Sequence, residues 1–131
     1  MASLGEYGLT AAVTQQGPDE VTGLGKVDAV SLIVALTATG GGTTCKVYVQ
    51  TSLDDGVTWY DVACAAFTNA TAVKAFCIDG RAQVANATPL SGGLADNTAQ
   101  HGLLGDRLRY RVTSTGTFGA GSKVSVSYAT R

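Results

Sequence analysis

Residues 52–59, Ser-Leu-Asp-Asp-Gly-Val-Thr-Trp, constrain the fold of this chain more than any other stretch. Lys46 to Thr51 alternates as a half-buried strand does, and the run then breaks on Asp54-Asp55-Gly56. An aspartate side chain accepts hydrogen bonds from the backbone of a tight turn, and glycine tolerates the positive φ that closes it. Trp59 anchors the returning strand with a large apolar surface. The spacing predicts a β-hairpin whose structural residues are Ser52, Asp54, Gly56 and Trp59.

The rest of the chain repeats this scale. Val27 to Thr37 is rich in Val, Ile and Leu and ends on Gly40-Gly41-Gly42; Cys45 to Thr51 and Thr58 to Val62 flank the hairpin. Ala63 to Thr68 and Ala72 to Ile78 are read as a second pair of short strands broken at residues 68–71. Gly80 to Gln100 is a long polar loop containing Pro89, Gly92 and Gly93. Arg107 to Ser114 and Ser122 to Thr130 alternate cleanly. Leu108, Tyr110 and Val112 face one way, with Val124, Val126 and Tyr128 as their expected partners, while Arg107, Arg109 and Arg111 face the other. Short runs at intervals of about ten residues, separated by turn chemistry, are the signature of an all-β sandwich or barrel.

Residues 1–26 show little sustained periodicity, with Gly17-Pro18-Asp19 as a turn signal and one short strand expected at Leu9 to Thr14. The expected architecture is therefore all-β: an extended N-terminal arm over 1–26, then a single antiparallel, jelly-roll-like β-sandwich over 27–131.

Composition excludes several function classes. Charged residues make up 15% of the chain and glycines 17 of 131, against about 25% charged and about 7% glycine in ordinary soluble domains. Charge is depleted at interface cores, so such a surface suits a protein packed against neighbours. The net charge of −1 argues against a nucleic-acid or anionic-membrane binder, whose affinity rests on clustered cations. Residues 1–61 carry seven acids and two bases, a net of −5, and residues 62–131 carry three acids and seven bases, a net of +4. Opposite halves of this kind attract within one subunit or between copies. The candidate inter-subunit contacts are Glu6, Asp19 and Glu20 on the arm with Arg107, Arg109 and Arg111.

Cys45, Cys64 and Cys77 cannot all pair within one chain, their spacing fits no zinc pattern, and His101 is the sole histidine. Each lies in or beside an expected strand, so all three are expected buried and reduced. No metal and no cofactor is expected, and no membrane segment: nothing approaches the ~18 apolar residues of a spanning helix, and the amino terminus has no basic flank before an apolar run.

The octet also fits S-x-D-x-G-x-x-W and so resembles the Asp box of sialidase-type β-propellers. One copy cannot build a propeller active site, which draws an arginine cluster and a nucleophile from several blades; Asp54 and Asp55 are turn formers, and no enzyme is expected. A carbohydrate-binding β-sandwich would stack Trp59, Tyr48 or Tyr60 on sugar rings, but Asp54, Asp55 and Asp61 do not make a calcium cage.

The longer text from Val47 to Ala63, with Gly93-Leu94-Ala95-Asp96-Asn97-Thr98 and Leu104 to Thr117, resembles small structural proteins of tailed bacteriophages. The resemblance covers about residues 45–131. It implies a virion component, a head decoration or cement protein that bridges and stabilises major capsid protein subunits. Its partners would be the major capsid protein and other copies of itself, with host-surface glycan as a further partner. It would be assembled in the bacterial host cytoplasm and sit on the capsid surface. A phage neck or tail protein and a carbohydrate-binding module are the alternatives.

Overall fold

The computed structural model describes residues 1–9, 11–14, 17, 19–82 and 91–131. Thr10 and Pro18, on which the expected arm strand and turn partly rest, and the part of the long loop around Pro89 lie outside the described residues. Among the described residues nine strands follow in chain order: β1 (Ala2–Gly8), β2 (Glu20–Val21), β3 (Ala29–Thr37), β4 (Thr44–Ser52), β5 (Trp59–Phe67), β6 (Ala72–Asp79), β7 (Thr98–Ala99), β8 (Arg107–Thr115) and β9 (Lys123–Thr130).

They form two antiparallel sheets, one ordered β1-β9-β3-β6 and the other β2-β8-β4-β5-β7. With β7 set aside, this is the connectivity of an eight-stranded jelly roll, as expected from the sequence. Among these nine strands only β4 and β5 are consecutive in the chain and directly paired; each of the other ladders between them joins strands distant in sequence. The core lies between the sheets. Val30, Leu32, Val34, Leu36, Val124 and Val126 from one meet Val47, Val49, Leu108, Tyr110 and Val112 from the other.

Four local expectations are corrected. The long strand of the first segment is Ala2–Gly8, paired with β9, while Leu9 and residues 11–14 of the expected strand are not in one. Of its side chains only Leu4 is buried, so an edge strand held by its backbone leaves almost no hydrophobic alternation to read. Residues 59–67 are one strand, interrupted by a bulge at Val62, where Val49 pairs with Ala63 and Gln50 with Asp61. The bulge breaks the period of two that marks a single strand. β6 does not pair with β5: the turn at 68–71 carries the chain to the other sheet, where β6 pairs with β3. Likewise β8 and β9 are not neighbours, and their apolar faces meet across the core. Alternation reports which face is buried, not which strand lies alongside.

The first 26 residues contribute β1 and β2 to the two sheets. Tyr110 ties them down. Its hydroxyl lies 2.9 Å from Asp19 Oδ2 and 3.0 Å from the Glu6 carbonyl oxygen. A Cβ on Gly5 would collide with the Tyr110 ring and Asp19, and one on Gly17 with the Tyr110 carbonyl oxygen. Glycine is needed at both because the backbone itself packs on the tyrosine.

Of the cysteines, Cys45 and Cys64 are buried, but Cys77 is exposed on the outer face of β6. The expectation of three buried thiols fails there because Cys77 falls on the solvent-facing parity of an edge strand. Burial pushes the Cys45 thiol up to about 12 and raises that of Cys64 as well. A thiol reagent at neutral pH should therefore label one cysteine quickly and two slowly, and all three after denaturation. Peptide mapping should place the fast label on Cys77; equal rates at all three would contradict this packing.

Candidate functional site

The hairpin is closed by its own side chains. Ser52 Oγ lies 3.0 Å from Asp54 Oδ1, to which it donates, and accepts from the Gly56 N–H at 2.8 Å. Asp54 Oδ1 accepts the Thr58 N–H at 2.7 Å. That backbone bond is the main reason the Asp54 carboxyl is held below its ordinary range. A depressed carboxyl contributes stability at neutral pH that is lost on acidification through its folded value. Gly56 has φ 90°, where a side chain is strained. Trp59 Nε1 donates to the Gly56 carbonyl at 2.9 Å, which folds the indole back under the turn.

Below the hairpin lies a buried polar relay. The bulge at Val62 turns Asp61 onto the outer face of the five-stranded sheet, beside Gln50. There its carboxyl is fully buried. Asp61 accepts from Gln50 Nε2 at 2.7 Å and from three successive backbone N–H groups, those of Gly92, Gly93 and Leu94, at 2.9–3.1 Å. Consecutive N–H groups converging in this way make an anion-holding concavity, and here the anion is the chain's own side chain. Gln50 Nε2 also reaches Ser91 Oγ at 3.1 Å, and Gln50 Oε1 accepts from Arg109 Nε at 2.7 Å. The Arg109 guanidinium stacks on Trp59, 4.1 Å from the ring centroid. Burial, then the nearby Arg111, lowers Arg109 to about 10. Hairpin, β8 and the returning loop are thus locked together, and the Lys46–Asp96 ion pair at 2.9 Å closes the loop's far side.

The candidate inter-subunit residues are engaged within the chain. Arg107 lies 3.5 Å from Glu20, 3.7 Å from Asp55 and 3.5 Å from Asp106. Arg111 Nη1 reaches the Gly17 carbonyl at 3.5 Å. Asp19 meets Tyr110, and Glu6 meets Lys123 at 3.5 Å. The acidic and basic halves therefore attract inside one subunit, at Glu20–Arg107 and Glu6–Lys123 among others. Of the aromatics proposed to stack on sugars, Trp59 and Tyr48 are buried. Among the described residues no three His, Cys, Asp or Glu side chains are placed to hold a metal ion.

Sequence reasoning found the hairpin but missed the relay. In the sequence Asp61 stands out only as an acid that makes no calcium cage with Asp54 and Asp55, and Gln50 only as one residue of an alternating strand. The available signals were Gly92-Gly93, a pair whose backbone can approach a side chain closely, and an acid two residues after the tryptophan. Neither indicates that the two meet.

Asp61→Ala would leave three backbone donors and Gln50 without their acceptor. The expected loss is on the order of 3 kcal/mol by urea denaturation, with faster hydrogen exchange at Gly92, Gly93 and Leu94. Trp59→Ala should cost about 3–5 kcal/mol through lost packing. An unchanged melting temperature for either variant would remove the relay from the list of stabilising elements.

No protein-family model and no curated protein sequence matches the chain. Among solved structures, it is similar to a chain of the honeybee sacbrood virus in its second expansion state, with TM-score 0.45 and 9% identity, covering 99% of this chain and 92% of that one.

Proposed function

We propose that the protein is a structural component of a bacteriophage virion, a decoration or cement protein that clamps major capsid protein subunits from the capsid surface after assembly in the host cytoplasm. The observation that carries this reading is where the polar side chains go. Those of the hairpin, β8 and the first segment are taken up inside the chain. What remains outside the four-stranded sheet is a face of Ser31, Ile33, Ala35, Ser125, Ser127 and Ala129, none of them charged, bordered by Glu6 and Lys123 and by Arg131, whose Nη2 lies 3.3 Å from Ser31 Oγ. Such a face costs little to desolvate, and its small side chains allow close approach to a flat partner. The phage-like text of residues 45–131 supports the same reading.

The mechanism is mechanical. Each copy is a rigid wedge, stiffened by the Asp61 relay and the Tyr110 staple, and many copies make displacement of one capsid subunit break several contacts together. Of the residues first considered for contacts with neighbours, Glu6 is the most open, its ion pair with Lys123 lying at the surface. A glycan-binding role has less support, because the ring face of Trp59 is occupied by Arg109.

Added to capsids that lack it, the purified protein should bind and raise their resistance to heat. Because the proposed face is uncharged, occupancy should change little between low and high salt. Ile33→Glu, at a position 37% exposed, should leave the fold intact and abolish attachment, read by sedimentation and gel densitometry. Full occupancy by Ile33→Glu would overturn this face as the contact. Density at the neck or tail of the intact particle would overturn the capsid location.

A further inference from the structure

The two sheets have four edges, and three of them are guarded. β2 and β7 are two residues long. The strands behind them are covered by backbone and side-chain bonds: Ser114 N–H to Val13 O beside β8, and Gln100 N–H to Val62 O and Ala66 N–H to Asn97 Oδ1 beside β5. β1 carries a bulge between Ser3 and Gly5. Bulges, short edges and covering loops are the devices by which β proteins avoid pairing with one another.

β6 has none of these. It runs eight residues from Ala72 to Asp79 in unbroken register with β3. It contains no proline, and its one lysine is turned away from the outer face, with Lys74 Nζ 5.6 Å from the Phe67 ring centroid. Its outer face shows Val73, Ala75 and Cys77, with Val73 65% exposed.

The backbone of β6 defines how far this open edge extends. Asp79 N–H donates to His101 Nδ1 at 3.0 Å and Asp79 O accepts from Gly102 N–H at 2.8 Å, so both groups point away from β3. By strand alternation the N–H and C=O groups of Cys77, Ala75 and Val73 point the same way. Asp79 is capped by His101 and Gly102. At the other end, Thr71 Oγ1 is engaged with the Ala38 backbone. Between these ends the outward backbone groups belong to Val73, Ala75 and Cys77, and none has a partner among the described residues.

We propose that this edge pairs with the β6 of a second copy, antiparallel about a two-fold axis at Ala75. The open run is symmetric about that residue. Ala75 meets Ala75 of the other copy, and Val73 meets Cys77 in both directions, so every open donor and acceptor of the run finds a partner. No like charges oppose each other, because Val73, Ala75 and Cys77 are neutral and Lys74 is turned inward. The two four-stranded sheets become one sheet of eight. A run this short buries well under the roughly 1,200–2,000 Å² of a stable free-standing complex. The pairing is therefore weak between free molecules and becomes strong where many copies are held together. It does not depend on the virion reading, since it is tested on the isolated protein.

The test uses Val73→Cys. In the proposed register the new thiol lies opposite native Cys77 of the other copy at a Cα separation of about 5.5 Å, inside the range a disulfide spans. Within one chain the two positions are four residues apart along a strand, about 13 Å, too far to close. The protein is incubated at high concentration with oxidised glutathione, which takes up the two electrons and two protons released as each pair of thiols forms one S–S bond. A shift from monomer to covalent dimer is expected, with peptide mapping showing the introduced thiol joined to Cys77 of the other copy. Wild type and Val73→Cys/Cys77→Ser should remain monomeric. Val73→Cys/Ala75→Pro should keep its fold, because the Ala75 N–H faces away from β3, yet lose the dimer. Three results would overturn the proposal: no linkage between the introduced thiol and Cys77, a linkage that survives Ala75→Pro, or a wild-type Cys77–Cys77 disulfide, which would place the axis elsewhere. A monomeric Val73→Cys would leave β6 as the edge for a strand from a different protein.

Discussion

A carboxyl group buried on the outer face of a sheet is the constraint on which much of this structure turns. Taking Asp61 out of water is costly unless its oxygens are fully bonded. Gln50 alone cannot supply that, so the loop from Ser91 to Leu94 must come back and present its N–H groups. Once it does, Gln50 is held for Arg109, and Arg109 is held over Trp59. The bulge at Val62 is the device that starts the sequence, because without the extra residue Asp61 would fall on the core parity.

A second staple works on the opposite side of the sandwich. Tyr110 belongs to the five-stranded sheet, yet it packs on Gly5 of the four-stranded sheet and on Gly17, with Asp19 and Glu6 at its hydroxyl. Burial and the adjacent Asp19 raise its phenol, so the neutral, hydrogen-bonding form persists across the physiological range. The two staples explain how a chain with few charges and no disulfide holds long connections in place.

The hairpin and the sandwich architecture were legible in the sequence because each rests on local chemistry: turn acids, a positive-φ glycine, and periods of two. Partnership between strands was not legible. Leu108, Tyr110 and Val112 alternate identically whether Val124 and Val126 lie beside them or across the core. The relay was hidden for a related reason, since Asp61 and Gly92 are distant in sequence and meet only after both sheets have formed. Cys77 was misjudged because residence in a strand says nothing about whether the strand lies at an edge.

The solitary β4–β5 hairpin also bears on the order in which the molecule assembles. It alone can close without gathering remote segments, and the entropy of closing a loop rises with its length. Every other ladder requires parts of the chain that start far apart, and β9 must slip between β1 and β3 before either has its full set of partners. A topology so dominated by distant contacts folds slowly. The Ser52–Trp59 turn is then the natural nucleus, whereas the Tyr110 contacts with Glu6 and Asp19 need segments some ninety or more residues apart to be brought together first.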